Sequence, residues 1–171
     1  MNRTRQLTQC AILISLALVL SYMERFFPLQ MLIPLPGIKL GLANIVTLIA
    51  LYLLGARSAF IILILRCILA STFSGSVTGL LFSLTGGILA MLVMSLARKA
   101  PFFSIYGVSI LGAAAHNIGQ ICASMALMQS IYIGAYLPYL LIAALFTGFA
   151  TGAAGAGVLR VFASVRRHSQ L

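Results

Sequence analysis

Three polar residues, His116, Asn117 and Gln120, interrupt a stretch of sequence that is otherwise mostly apolar. In a helix, His116 and Gln120 lie four residues apart on one face, and Asn117 lies at the edge of that face. Such side chains can hydrogen-bond a bound polar molecule. The alternative is a hydrogen-bonded patch between helices, worth about 0.6 kcal/mol per contact. Gly119, inside this cluster, is expected to leave space beside it.

Charged residues form the second candidate group. Arg66 lies within another apolar stretch, and Glu24 is the one carboxylate of the chain. An arginine in a membrane helix costs roughly 2.5–3.5 kcal/mol on insertion scales, so it normally faces the interior and has a partner. Either Glu24 neutralises Arg66, or Arg66 binds an anionic ligand. Lys39 and Asn44 are predicted to converge on the cavity beside the His116 cluster, as is Thr47 one turn below Asn44. One acid does not balance Arg66, Lys39 and Arg25, which favours an anionic or phosphate-bearing ligand.

The composition identifies the kind of chain that must position these groups. Only 7% of its 171 residues are charged, 62% are hydrophobic, and the mean hydropathy is +1.14. A soluble domain is normally about a quarter charged, so this is a membrane protein. The net charge of +10 is scattered at the ends of apolar segments rather than gathered on one solvated face, which excludes nucleic-acid binding.

A helix needs roughly 20 mainly apolar residues to cross a bilayer. The predicted fold is therefore all-α, a bundle of six transmembrane helices in one integral membrane domain over residues 1–171. The spans cover residues 6–23, 39–55, 58–73, 77–97, 107–129 and 137–159. Eight of the eleven basic residues then lie on the side of the N-terminus. By the positive-inside rule, both termini are cytoplasmic.

The single carboxylate also limits the chemistry. Glycoside hydrolysis needs two acids, and metal-dependent prenyl transfer needs several to hold magnesium. The sequence has no GxxxxGK[ST] phosphate loop, the usual motif for ATP binding. We therefore predict that the chain is not an enzyme and needs no cofactor or metal.

An apolar segment with three prolines, residues 26–37, joins the first two predicted spans. The prolines prevent a continuous helix. Irregular backbone at membrane depth survives only against protein or a cavity. The segment is therefore predicted either to cover a cavity as a lid or to anchor the chain at the membrane interface.

Several motifs resemble those of the bacterial Gx transporter family, also described as heptaprenyl diphosphate synthase component I. They are residues 36–47 (PGIKLGLANIVT), 65–67 (LRC), 107–110 (GVSI) and 116–120 (HNIGQ). That family is similar to the substrate-binding S components of energy-coupling factor transporters. The resemblance implies six helices, an outer loop over a ligand site, and location in the bacterial cell membrane. It also implies a transmembrane coupling subunit with two ATPases as partner, docked on an Ala-xxx-Ala face that Ala11 and Ser15 approximate.

The predicted function is thus a membrane-embedded subunit that binds a small anionic molecule for transport, such as a vitamin, a flavin or an isoprenoid. The predicted ligand residues are Arg66, His116, Asn117, Gln120, Lys39, Asn44, Glu24 and Arg25. The alternative is a non-catalytic membrane accessory subunit of a polyprenyl diphosphate synthase or quinone pathway.

Overall fold

The computed structural model describes residues 3–26 and 41–168, apart from the side chains of Arg3, Arg5, Arg25 and residues 165–168. These residues form six α-helices, two short 3-10 helices and tight turns. The α-helices are α1 (Arg3–Met23), α2 (Asn44–Leu54), α3 (Ala56–Ser74), α4 (Val77–Ala97), α5 (Ile105–Met128) and α6 (Leu137–His168). The 3-10 helices are Glu24–Phe26 after α1 and Ile131–Tyr136 before α6.

The all-α prediction is confirmed for the described residues, and five helices are long and apolar enough to cross a membrane. The exception is α2, which has 11 residues and is therefore about 16 Å long. Residues 39 and 40 of its predicted span lie outside the described part. At the other extreme, α6 continues to His168 instead of ending near residue 159, because charged residues end an apolar run but do not end a helix.

The helix boundaries follow from local backbone chemistry. Gly55 separates α2 from α3 with φ +87°, a backbone conformation that residues with a Cβ rarely adopt. Ser76 begins α4 by accepting a hydrogen bond from the Gly79 amide at 3.0 Å. Ser104 does the same for α5, from Gly107 at 3.3 Å. Serine caps of this kind satisfy amides that have no partner within the helix.

Side-chain hydrogen bonds show which helix ends lie together. We call one end of the bundle the Glu24 end, because the Glu24 carboxylate beyond α1 accepts from the Leu42 amide just before α2. The opposite end is the Arg98 end, where the Arg98 guanidinium donates to the Leu51 carbonyl of α2.

The exposed residues Arg57, Arg98 and Lys99 lie at the start of α3 or directly after α4, at the Arg98 end, and the exposed Arg160 lies in the last third of α6. The clustering of basic residues predicted from the sequence is therefore present in the fold. The orientation of this end toward the cytoplasm stays a prediction.

The tightest contacts are between α4, α5 and α6, and glycines permit them. A Cβ on Gly119 of α5 would lie 2.8 Å from the Gly86 Cα of α4, and one on Gly148 of α6 would lie 2.6 Å from the Ile110 Cα of α5. Gly152 and Gly155 also pack closely on neighbouring helices, whereas Gly157 has nothing within 4 Å. These contacts fix α4 and α5 rigidly against each other.

In contrast, α1 lies at the periphery of the bundle. It packs on α2 and α3, and only 6% of its membrane-length segment is buried. Leu7, Ile12 and Val19 on its outer face are exposed by 69%, 61% and 56%. In a bilayer this face contacts lipid or another protein.

Candidate functional site

A small polar cavity lies toward the Glu24 end, among α1, α2, α3, α4 and α5. Its lining residues are Ser21, Glu24, Gly41, Arg66, Cys67, Ala70, Ser83 and His116. Its volume is about 10 Å³, which is close to the room that one water molecule needs. The structure thus brings Glu24, Arg66 and His116 of the predicted site to one place.

Arg66 is the cation of this cavity. Its side chain is 6% exposed, and Nη2 donates to the Asn44 Oδ1 of α2 over 3.1 Å. Its Nε atom is buried and has no hydrogen-bond partner within the part of the chain that the structure describes. An arginine has five N–H donors and strongly favours acceptors that carry negative charge. The arrangement leaves donor capacity for an acceptor that is not part of the described chain.

Glu24 lines the same cavity, but its carboxylate also serves the fold. Its Oε1 accepts from the Leu42 amide at 2.6 Å, and the residue is 8% exposed. Leu42 lies two residues before α2, so the carboxylate holds the segment that leads into this helix and lies near the positive end of its dipole. Arg66 and Glu24 therefore have different hydrogen-bond partners, Asn44 and Leu42, although they line one cavity.

Gly41 forms the turn before α2 and lets the beginning of this helix pack close to His116. The φ angle of Gly41 is +79°, and the backbone N–H of Asn44 donates a hydrogen bond to the Gly41 carbonyl at 2.8 Å. A Cβ here would lie 2.9 Å from Asn44 Nδ2 and 3.5 Å from His116 Cδ2. Glycine suits this position because its φ is positive and because a Cβ would displace the side-chain amide of Asn44, which accepts the hydrogen bond from Arg66.

His116 and Gln120 lie on the face of α5 that packs against α4. They are 3% and 1% exposed, and a Cβ on Gly86 of α4 would touch both side chains. The expectation that Gly119 leaves open space beside them is wrong. The Gly86 backbone occupies that space, because two glycines at one crossing let the helices approach until their main chains touch.

Asn117 lies on a different side of α5. Its Nδ2 donates to the Leu140 carbonyl of α6 at 2.8 Å, and the residue is 7% exposed. The three polar residues of the sequence cluster thus divide into a pair beside α4 and one residue that binds α6. Ser109 repeats the second arrangement nearer the Arg98 end, where its hydroxyl lies 2.7 Å from the Thr151 hydroxyl of α6.

Two serines extend the polar surface beyond the residues that the sequence indicated. Ser83 of α4 lines the cavity. Ser124, one turn beyond Gln120 on α5, is 1% exposed. The Ser124 hydroxyl and both amide atoms of Gln120 have no hydrogen-bond partner among the described residues. The four-residue spacing of His116, Gln120 and Ser124 could have indicated this stripe, but serines are common packing residues in membrane helices.

The remaining predicted residues are placed as follows. Lys39 and most of the proline-containing segment lie outside the described residues, as does the side chain of Arg25. Ala11 and Ser15 are exposed on α1, where the Ser15 hydroxyl donates to the Ala11 carbonyl at 3.0 Å. Their predicted docking role is not tested by these contacts.

Metal-binding side chains are sparse in the described part of the chain, which contains no group of three or more His, Cys, Asp or Glu residues that could hold an ion. The polar groups at the cavity are guanidinium, carboxylate, imidazole, amide and hydroxyl. Together they can bind an organic ion by charge and hydrogen bonding.

Comparison with known protein families gave one match. The sequence model of heptaprenyl diphosphate synthase component I matches residues 13–158. Neither the curated proteins nor the solved structures gave a match.

Proposed function

We propose that this chain, which belongs to the heptaprenyl diphosphate synthase component I family, is a membrane-embedded subunit that binds a small anionic molecule for transport. The proposal includes the resemblance of that family to transporter S components. The observation that carries this proposal is Arg66, a buried cation whose described hydrogen-bond partner is the neutral amide of Asn44. A buried charge needs compensation, and a structural arginine obtains it from an adjacent carboxylate or several carbonyls. A bound anion would provide the compensation here.

The electrostatics at the cavity favour the same ligand charge. Glu24 accepts from the N-terminal backbone of α2, so the positive end of the helix dipole offsets part of its charge. Arg66 receives only a neutral amide oxygen from Asn44. We propose that an anion binds at the Arg66 guanidinium, on the cavity wall that also carries Glu24.

Ligand binding requires this site to open. Small-molecule pockets typically have volumes of about 300–1,000 Å³, whereas this cavity holds about one water molecule. The contact between α4 and α5 at Gly86 and Gly119 cannot loosen without loss of tight packing. The peripheral helix α1, which contributes Ser21 and Glu24 to the lining, is the element that can move at least cost.

The proposal is tested by purifying the protein from native membranes and identifying retained small molecules by native mass spectrometry. We expect a retained anion. Arg66→Gln should weaken its binding at least tenfold, while Arg66→Lys should retain part of it because the charge remains. Arg57→Gln, which neutralises an exposed arginine at the Arg98 end, is the matched control and should bind as wild type. Equal retention by folded Arg66→Gln would refute the site.

A second function, the accessory membrane subunit of a polyprenyl diphosphate synthase, is favoured by the family description itself, which names a synthase component. Glu24 is the only carboxylate of the chain, so the acids that bind magnesium in prenyl transfer would have to come from a soluble partner. In this function the chain would hold a catalytic subunit or its lipid product at the membrane.

Proteins that copurify from native membranes distinguish the two functions. A transmembrane coupling protein with a pair of ATPases supports transport, and the exposed face of α1 around Ala11 and Ser15 is then the expected contact. Ala11→Leu should release that partner, whereas Leu7→Ala on the same exposed helix should not. A soluble synthase rich in aspartate would instead support the accessory function.

A further inference from the structure

Gln120 and Ser124 form a buried polar pair on α5 with unused hydrogen-bonding capacity. Each is 1% exposed. The Nε2 and Oε1 atoms of Gln120 and the Oγ atom of Ser124 have no partner among the residues that the structure describes. Leaving such groups unpaired inside a protein costs about 1–3 kcal/mol each. Folded proteins therefore rarely retain them unless something binds there.

Neither Gln120 nor Ser124 lines the cavity that contains Arg66, but Gln120 is linked to it through Gly86 and His116. In the α4–α5 contact, Gly86 lies against the side chains of His116 and Gln120. His116 and Ser83, three residues before Gly86, both line the cavity. Gln120 thus lies between two cavity-lining residues along the helix axes. It is about 6 Å from His116 along α5, and Ser124 lies one turn further toward the Glu24 end.

The side-chain carboxamide of Gln120 limits which chemical groups of a ligand can bind beside it. Gln120 presents an acceptor and two donors in one plane, and a planar edge with a donor beside an acceptor satisfies both atoms together. Glutamine recognises adenine in this bidentate way. Cyclic amides, ureides and aminopyrimidines have the same edge. Ser124 can add one hydrogen bond to a neighbouring polar atom.

We propose that the ligand of this protein is an anion with a planar amide-type edge, whose charge is bound at Arg66 and whose edge is bound by Gln120 and Ser124. This inference rests on the proposed function. It adds to the anionic group of the ligand an uncharged planar group that hydrogen-bonds to Gln120 and Ser124. It also assigns Ser124, which the sequence did not indicate, to the site.

Two pairs of probes test the inference: orotate against benzoate, and 5-oxoproline against cyclopentanecarboxylate. Within each pair the ring size and the carboxylate are kept, and the amide edge is present in the first compound only. A site that hydrogen-bonds a group strongly rejects analogues that lack it. We expect at least one amide-bearing probe to bind the purified protein at least tenfold more tightly than its partner, and Gln120→Leu to abolish that difference.

Binding of both members of each pair with equal affinity would overturn the inference while leaving the anionic site intact. Discrimination that persists in Gln120→Leu would also overturn it. If none of the four probes binds, the inference fails, and the broader proposal is still decided by the anion retained from native membranes.

Stability without ligand provides a second test that needs no probe. Since the Gln120 amide and the Ser124 hydroxyl have no hydrogen-bond partner within the described part of the chain, Gln120→Leu and Ser124→Ala should leave the melting temperature of the protein without ligand unchanged or raise it. Ser109→Ala, on the same helix, is the matched control and should lower it by about 2–4 °C because it removes the hydrogen bond to Thr151. A comparable fall for Ser124→Ala and Gln120→Leu would show a structural polar network and refute the inference.

Discussion

Replacing Glu24 by glutamine should destabilise the fold, although it removes the only negative side chain from a membrane bundle. Glu24 is 8% exposed, and its Oε1 lies 2.6 Å from the Leu42 amide at the beginning of α2. With 11 residues, α2 is too short to be stable alone and depends on its ends and its packing. Arg98 binds the carbonyl of Leu51 at the other end. The helix therefore has a negative group at its positive end and a positive group at its negative end.

The magnitude follows from these contacts. A hydrogen bond to a charged group contributes about 1.5–3 kcal/mol, and a favourable charge at a helix end contributes about 0.3–1 kcal/mol. Glutamine keeps an acceptor oxygen of similar reach but loses the charge. We therefore expect Glu24→Gln to lower the free energy of unfolding by about 1–2 kcal/mol, which is the charge-dependent share of these terms.

Reversible unfolding by sodium dodecyl sulfate in mixed micelles, followed by circular dichroism, measures this change. Arg57→Gln is the control, because it changes the net charge by one unit in the opposite direction at an exposed position and should stay within about 0.5 kcal/mol of wild type. If Glu24→Gln also stays within that margin, the carboxylate does not anchor α2, and its main role is at the cavity. If Arg57→Gln stabilises the protein by as much as Glu24→Gln destabilises it, net charge explains the loss.

Four further substitutions test the helix packing, each by the same unfolding assay. Gly41→Ala should cost about 1–2 kcal/mol, because φ is +79° and the new Cβ meets the amide that holds the arginine; a neutral result would contradict the left-handed turn. Gly119→Ala should cost about 1–3 kcal/mol through its clash with the α4 backbone, whereas Gly157→Ala, with nothing within 4 Å, should stabilise by about 0.5–1 kcal/mol. Asn117→Ala should cost about 1 kcal/mol by losing its bond to the Leu140 carbonyl, but it should leave anion retention unchanged; loss of retention would return Asn117 to the ligand site.

Helix positions were largely predictable because the dominant constraint is simple. A membrane requires long apolar segments, and glycines or serine caps mark where they begin or end. Predicted boundaries for α4 at residues 77–97 agree with the structure. The end of α6 was missed because hydropathy indicates where a helix leaves lipid, and nothing in the following residues stops the helix before His168.

The site was predictable in its residue types but only partly in its geometry. The intramembrane charge of Arg66 and the polar residues of α5 identified the region. The helix that each side chain contacts depends on the rotation of α5 about its axis and on which helix packs beside it. Asn117 is one residue from His116 and binds a different helix. Gly119 was expected to open space, but whether a glycine makes a cavity or a contact depends on the opposing residue, here Gly86.

The placement of the single carboxylate bears on the proposed preference of the cavity for anions. If Glu24 were dedicated to neutralising Arg66, the two would form a compensated pair, and the cavity would have little preference for ligand charge. Instead, the Glu24 Oε1 is engaged by the Leu42 amide at the start of α2, while Arg66 is oriented by the neutral side chain of Asn44 on the same helix. The helix dipole offsets part of the negative charge, and no equivalent group offsets the positive one among these contacts. One short helix and the turn before it thus contact both the Glu24 carboxylate and the Arg66 guanidinium, and the proposed anionic ligand would bind at that guanidinium.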